Sequence, residues 1–305
     1  RVCKEGNLGE VRRLISNTAD LGLSENEVCD TLLHQAVYPG DEPLLRYLVN
    51  EVGVSVNSRN NFRMTPLHYA VSSGLEVTNF ILNCGAFVDP QDAAGKTPLM
   101  SACGYNSVDV VKLLVDRGAS TRIFDAAGDT CLHYAARGKS LTVLRYLLRQ
   151  SEADPNSANF LDETPLHFAC ATGSFTAVRF LLDSGPSPRN DCGFTPLHET
   201  AKNGDLEIAK LLLLASADVD AVDDDARATA LHLAASAGNN DVVLALLRAG
   251  ANVNLQAVRG ETALYMAAFN GRLVAVRMLL HHNANPKFVG DDNHVALEVA
   301  VKNGH

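Results

Sequence analysis

Apolar and polar residues follow a fixed order over the 34-residue segment from residue 195 to residue 228. Thr195 is a favoured N-cap, and the proline after it is well accepted at the first position of a helix. Leu197 and Ala201 then lie four residues apart, which places both on one face of a short helix. Gly204 can end that helix with a positive φ. The pattern therefore predicts a short first helix between Thr195 and Gly204.

A second group of apolar residues follows the glycine with helical spacing, and it comprises Leu206, Ala209, Leu212 and Leu213. The residues from Ser216 to Asp220, and the acidic run after them, lead back to the next threonine as an extended turn. The segment is therefore predicted to form two helices and a turn.

This segment recurs along the whole chain. Its Thr-Pro-Leu-His start, or a variant of it, occurs at Thr31, Thr65, Thr97, Thr130, Thr164, Thr195, Thr229 and Thr262, and in altered form at Val295. Successive starts are 31 to 34 residues apart. Such a period is typical of arrays in which each unit packs only on its neighbours. We predict a single array over residues 1–305, with eight full units and a partial unit at each end, and we expect it to be a segment of a longer chain.

The repeated residues resemble the ankyrin repeat. Residues 65–70, Thr-Pro-Leu-His-Tyr-Ala, match the Thr-Pro-Leu-His-x-Ala start of that family, and residues 250–254, Gly-Ala-Asn-Val-Asn, match its Gly-Ala-Asp-x-Asn turn. The resemblance covers essentially the whole chain. It implies an all-α fold with short β-hairpin turns, in which L-shaped units of two antiparallel helices stack into a curved solenoid.

Several units depart from the pattern. Met100 and Tyr265 stand at the histidine position, and Cys131 stands at the proline position. Asn106 and Lys139 replace the glycine after the first helix, and the unit between Thr164 and Thr195 is two residues short and contains Pro186 and Pro188. We expect weaker stacking at Asn106, at Lys139 and in the short unit.

Composition and charge argue against several classes of protein. The net charge of −9 is spread along the chain, whereas nucleic-acid binding usually requires a basic face. No apolar run approaches the roughly 18 residues of a membrane span. The seven cysteines are scattered, so they suggest neither a disulfide framework nor a zinc site. They favour a reducing, intracellular compartment, and we expect the cytoplasm rather than the nucleus.

Candidate chemistry is sparse. Six histidines recur at the fourth position of the motif, at His34, His68, His133, His167, His198 and His232. The same residue in unit after unit indicates a structural part, which accepts from the motif threonine and donates to the backbone of a neighbouring unit. No phosphate-binding loop, nucleophile elbow, paired-carboxylate site or HExxH pattern is present. We therefore predict no enzyme, no metal and no cofactor.

Two polar features have alternative interpretations. The acidic run Asp220, Asp223, Asp224 and Asp225 lacks the glycine and the distal glutamate of a calcium loop, so it is interpreted as a solvated turn or as a contact for a basic partner. Asn254 lies eight residues after Leu246. Ankyrin-type turns are substrates for asparagine hydroxylation, and the resemblance makes Asn254 a candidate for it.

The resemblance also nominates a binding surface. Partners of ankyrin-like arrays generally meet the concave side, which hairpin tips and first-helix ends form. By position, the candidates at the tips are Phe62, Phe124, Phe160 and Phe194, and those at the helix ends are Tyr38, Tyr105, Arg137, Asn203, Phe269 and Asn270. Aromatic residues and arginine dominate binding energy at interfaces. The phenylalanines therefore favour a groove for an extended peptide or partner, with packing between adjacent hairpins as the alternative. Tyr69, Tyr134 and Phe168 are interpreted as core residues between units.

We expect a protein–protein interaction scaffold or adaptor. Two alternatives are the substrate-recognition arm of a ubiquitin ligase and the regulatory domain of a larger enzyme or channel. No residue in the sequence separates the three.

Overall fold

The computed structural model describes residues 9, 30–150, 153–184, 193–291 and 293–305, and in these ranges the chain forms seventeen α-helices. The first helices of the units are α1 (Leu32–Val37), α3 (Pro66–Ser73), α5 (Pro98–Gly104), α7 (Cys131–Arg137), α9 (Pro165–Ala171), α11 (Pro196–Asn203), α13 (Ala230–Ala237), α15 (Ala263–Phe269) and α17 (Ala296–Lys302). The second helices are α2 (Glu42–Arg46), which a π-helical turn at Tyr47–Glu51 continues, α4 (Leu75–Asn83), α6 (Val108–Asp116), α8 (Leu141–Leu147), α10 (Phe175–Leu182), α12 (Leu206–Leu214), α14 (Asn240–Arg248) and α16 (Leu273–His281).

The chain divides into two compact units, Arg1–Asp154 and Pro155–His305. Within each, every first helix packs on the second helix of its own repeat and on the first helix of the next, and the second helices pack on one another in the same order. The motif leucines lie at the centre of these contacts. Leu197, Leu231 and Leu264 are fully buried, as their position in the motif predicts.

Five motif histidines, His34, His68, His167, His198 and His232, tie a first helix to the hairpin that leads into the next helix start, as the repeated motif predicts. In His198 the Nδ1 atom accepts a hydrogen bond from the backbone N–H of Thr195 at 3.0 Å and lies 2.8 Å from its hydroxyl. The proton is therefore on Nε2, which donates at 3.0 Å to the carbonyl of Ala228, the residue directly before the next motif threonine. The same Nε2 bond to a later carbonyl recurs at 3.0 to 3.2 Å at His34, His68, His167 and His232.

Burial favours the neutral form of three of these rings. It lowers the pKa of His34, His68 and His232 below the ordinary value of 6.5, and the carbonyls that they bind only partly oppose it. Where the histidine is replaced, the helix start is kept by other means. The Sδ atom of Met100 accepts from the backbone of Thr97, and a carboxylate oxygen of Glu298 accepts from the backbone of Val295 at 3.0 Å.

An aspartate or asparagine, buried in four of the five cases and half-buried at Asp92, shapes each of five hairpin tips. It lies five residues before the motif threonine, or six in the last case, and its Oδ1 accepts two backbone N–H groups of its own turn at 2.8 to 3.1 Å. These residues are Asn60, Asp92, Asp125, Asn159 and Asp223. Consecutive tips are joined by backbone hydrogen bonds, for example from Ala126 to Ala94 at 2.8 Å. The hairpins themselves are reduced to single β-bridges, such as that between Phe124 and Thr130.

The residue nine positions after the motif threonine has a positive φ in every repeat, whatever its type. Gly204 has a φ of 84°, and Asn106 and Lys139 reach 58° and 57° in the same role. Asn106 also accepts a hydrogen bond from the hydroxyl of Ser140 in the next repeat. The substitutions therefore keep the geometry of the turn. The short unit's two prolines lie outside the described residues.

Candidate partner-binding surface

Most of the large side chains nominated from the sequence are exposed. Tyr38, Phe62, Tyr105, Phe124, Phe160 and Phe269 expose between 49% and 72% of their surface. Tyr38 and Tyr105 directly follow first helices. The phenylalanines at 62 and 160 stand beside the buried asparagine of their hairpin tip. An aromatic ring in such a place loses little further freedom on binding and offers a large contact area.

Phe194 differs from the other phenylalanines. Its side chain is half-buried, directly before the motif threonine. Its ring centroid lies 4.9 Å from that of His198 at the start of α11. Its carbonyl accepts the hydrogen bond from Nε2 of His167. Phe194 therefore packs on the helix start that follows it, and its carbonyl ties that start to the preceding first helix α9.

The four phenylalanines do not share one register. They lie three, six, four and one residues before the motif threonine of their repeats, in the order Phe62, Phe124, Phe160 and Phe194. The first two belong to the unit Arg1–Asp154 and the last two to the unit Pro155–His305. Each of these turns therefore carries a phenylalanine at a different position, and the equivalent positions in the other hairpins carry other residues.

The two asparagines at first-helix ends are exposed but bonded. The Nδ2 atom of Asn203 donates to the carbonyl of Ala171 at 3.2 Å, and that of Asn270 donates to the hydroxyl of Ser236 at 3.1 Å. Both acceptors lie in the preceding repeat. These amides brace adjacent helix ends, so a partner that used them would have to share or replace those bonds.

Tyr69 and Tyr134 line the surface between hairpin and first helix, which differs from the core position expected for them. Both are half-buried, and their hydroxyls donate to Asp30 at 3.0 Å and to Asp125 at 2.7 Å. Burial and the acceptor carboxylate raise the pKa of Tyr69 to about 12 and that of Tyr134 further still. Both hydroxyls therefore stay protonated and bonded at neutral pH.

Charged groups converge on the ring of Tyr134. The ammonium of Lys96 lies 4.5 Å from its centroid, and the guanidinium carbon of Arg137 lies 5.5 Å from the same centroid. A guanidinium nitrogen of Arg137 also pairs with Asp129 at 3.4 Å. Arg137 was nominated from the sequence, whereas Lys96 was missed. The residue directly before the motif threonine varies too much between repeats to attract notice.

The acidic run divides into structural and exposed residues. Asp223 is buried and shapes its hairpin tip, and Asp220 accepts the backbone N–H of Asn252 in the next repeat at 2.9 Å. Asp224 and Asp225 are exposed at the tip. Asn254 performs the same linking role one repeat later, because its Oδ1 accepts the backbone N–H of Asn285 at 2.8 Å.

Comparison with known proteins decides the family. The profile described as "Ankyrin repeats (3 copies)" matches residues 1–92, 75–159, 154–223 and 231–305, and that described as "Ankyrin repeats (many copies)" matches residues 201–247. The chain belongs to the ankyrin repeat family. Ankyrin repeats are a protein-binding fold, and the exposed rings at the tips and helix ends of this array are of the kind that such binding uses.

Several ankyrin proteins are similar over most of this chain. The human B-cell lymphoma 3 protein is 30% identical over 93% of this chain and 50% of its own length, and human neurogenic locus notch homolog protein 1 is 33% identical over 70% of this chain and 8% of its own. Human rabankyrin-5 is 30% identical over 76% of this chain and 18% of its own. The chain thus spans half or less of the length of these relatives.

Solved ankyrin structures show the same fold. The ankyrin repeat domain of Bcl-3, described as a unique member of the IkappaB protein family, aligns with a TM-score of 0.58 and 32% identity over 68% of this chain and 94% of that domain. The human ASB11 ankyrin repeat domain aligns with a TM-score of 0.63 and 27% identity over 67% of this chain and 92% of that domain. In the part of this chain that the structure describes, no helix is long and apolar enough to cross a membrane.

Proposed function

We propose that this ankyrin array is a scaffold or adaptor that binds another protein, or a peptide segment of one, through its hairpin tips and first-helix ends. The exposure of Tyr38, Phe62, Tyr105, Phe124, Phe160 and Phe269 on these elements carries the proposal. Single exposed apolar residues are ordinary on protein surfaces. Six large ones on the tips and helix ends of several repeats are a more specific pattern, which fits many modest contacts with a partner.

The proposed role is binding without chemistry on the partner. Support comes from the histidines, because both ring nitrogens of His34, His68, His167, His198 and His232 are engaged with backbone or threonine groups. A ring held in this way cannot take a proton from a substrate. The proposed compartment is intracellular, which the free thiols of Cys84, Cys103, Cys131 and Cys170 support.

The test is quantitative affinity capture with matched variants. In the first variant, Phe62, Phe124 and Phe160 are changed to serine. In the control, Phe87 is changed to serine, because it is also exposed, at 70%, but it stands between the second helix α4 and the hairpin tip, five residues before Asp92. Far-UV circular dichroism checks that both keep the wild-type helix signal.

We expect the triple variant to lose partners that the wild type and Phe87→Ser retain. Equal capture by all three proteins would reject the hairpin tips as the binding surface.

A further inference from the structure

Lys96 is an unusual residue for its place in the repeat. The residue directly before the motif start is Asp30, Met64, Asp129, Glu163, Phe194, Ala228, Glu261 or His294 in the other repeats, so a lysine occurs there once. The side chain is half-buried against Tyr134, 4.5 Å from the ring centroid, and Arg137 lies 5.5 Å from the same centroid. Two positive charges therefore share one aromatic ring, which partly stabilises each of them.

The ammonium of Lys96 has no carboxylate within 4 Å among the described residues. Burial lowers the pKa of Lys96, and the neighbouring Arg137 adds to that effect, while Asp92 and Asp125 oppose it. A half-buried ammonium without a direct anionic partner is unfavourable, because it has lost water and gained no charge-assisted hydrogen bond in return. It is the kind of group that an incoming anion would stabilise.

The aspartates nearby are committed to other donors. Asp125 accepts two backbone N–H groups of its hairpin through Oδ1 and the hydroxyl of Tyr134 through Oδ2. Asp92 accepts the backbone N–H groups of Ala94 and Lys96. Asp129 is buried and pairs with Arg137. These carboxylates maintain the hairpins and the helix start, so they cannot turn toward Lys96 without breaking the turns.

Two exposed aromatic rings flank the helices next to the cations. Tyr105 follows α5, which Lys96 precedes, and Phe124 lies in the hairpin before α7, which Arg137 ends. Gly104 at the end of α5 lies against Tyr134, since a Cβ atom on it would be 3.6 Å from the ring, and Tyr105 follows it with 62% exposure. Phe124 directly precedes Asp125 with 53% exposure, and its carbonyl accepts from the amide of Gln91 at 3.1 Å. A segment that reached the cations would pass close to apolar surface.

We propose that Lys96 and Arg137 together bind an aspartate or glutamate side chain in an acidic peptide segment of the partner, and that Tyr105 and Phe124 contact apolar residues beside it. This inference rests on the proposed function and names the chemistry of the partner in the first unit. The planar guanidinium suits a carboxylate, and the ammonium on the same ring adds a second positive charge.

The test uses fluorescence anisotropy with three labelled twelve-residue peptides at low salt. One alternates glutamate with leucine and phenylalanine, one has lysine in place of each glutamate, and one has phosphoserine there. The proteins are the wild type, Lys96→Gln, Arg137→Gln and the control Lys112→Gln, which removes an exposed lysine from the second helix α6.

We expect the wild type and Lys112→Gln to bind the glutamate peptide, and Lys96→Gln and Arg137→Gln each to bind it roughly 10- to 100-fold more weakly, as the loss of a charged hydrogen bond requires. Binding should weaken as salt is raised. No binding of the glutamate peptide, equal binding by all four proteins, or tighter binding of the lysine or phosphoserine peptide would overturn the proposal.

The same variants separate this inference from the proposed function. If Lys96→Gln captures partners as the wild type does while the triple phenylalanine variant loses them, the array binds through its tips and the carboxylate site is wrong. If neither variant loses partners, the tip surface itself is rejected. The melting temperature of Lys96→Gln should be no lower than that of the wild type, because the substitution removes a half-buried charge.

Discussion

Replacing His232 with alanine should loosen the contact between two repeats of the second unit. His232 is 1% exposed. Its Nδ1 accepts the backbone N–H of Thr229 at 3.1 Å and lies 2.9 Å from the threonine hydroxyl, and its Nε2 donates to the carbonyl of Leu255 at 3.0 Å. Alanine at 232 would leave the N–H of Thr229 and the carbonyl of Leu255 without these partners.

The expected loss follows from those two groups. Leaving a buried donor or acceptor unsatisfied costs about 1–3 kcal/mol, so the local opening free energy should fall by about 2–6 kcal/mol. Hydrogen exchange measures this directly. Since 1.4 kcal/mol corresponds to about a tenfold change, amides of α13 and α15 should lose at least roughly 25-fold in protection at pH 7.5.

The pH dependence provides a second reading. Burial lowers the folded-state pKa of His232 below 6.5, so its contribution is present above pH 6.5 and is lost as the pH falls through the folded value. The difference in hydrogen-exchange protection between the wild type and His232→Ala should therefore be largest at pH 7.5 and become smaller on acidification. His281→Ala, an exposed control at the end of α16, should change protection by less than about 0.5 kcal/mol. A protection loss below threefold in His232→Ala would refute the claim that the His232 hydrogen bonds hold the first helix to the following hairpin.

Three further substitutions have definite expected signs. Lys139→Gly should raise the urea midpoint by the equivalent of about 1 kcal/mol, because a φ of 57° strains any side chain; an unchanged midpoint would contradict this. Leu264→Ala should lower the free energy of unfolding by about 2–5 kcal/mol, and a loss under 1 kcal/mol would show that the site is loosely packed. Burial raises the folded-state pKa of Glu199 above 4.5, so its favourable contribution exists at low pH and is lost as the pH rises. Glu199→Gln should therefore melt at a higher temperature than wild type at pH 7 but not at pH 4, and an equal gain at both would be inconsistent with that origin.

The features that repetition encodes could be predicted from the sequence. The helix start recurs in nine copies, the motif leucine is buried in eight of them and the histidine occurs in six, and each of these features depends on local geometry within the motif. The residue that shapes the hairpin tip could also have been predicted, since an aspartate or asparagine stands five residues before Thr65, Thr97, Thr130 and Thr164. It escaped notice because its type alternates between the two residues and the motif begins after it.

The surface could not be predicted to the same depth. Lys96, Tyr134 and Arg137 belong to two repeats and meet only because α5 and α7 stack in register, so the motif of a single repeat does not place them together. Phe194 shows the converse problem. Its ring packs on His198, and nothing in its sequence neighbourhood distinguishes it from the more exposed Phe62 and Phe160.

The most direct test of the account is partner capture by three proteins compared side by side. They are the wild type, the variant with Phe62, Phe124 and Phe160 changed to serine, and Phe87→Ser. The account predicts that proteins enriched by the wild type are retained by Phe87→Ser and lost from the triple variant, while all three keep the same helix signal. Retention of those proteins by the triple variant, or their loss from Phe87→Ser alone, would contradict a binding surface at the hairpin tips.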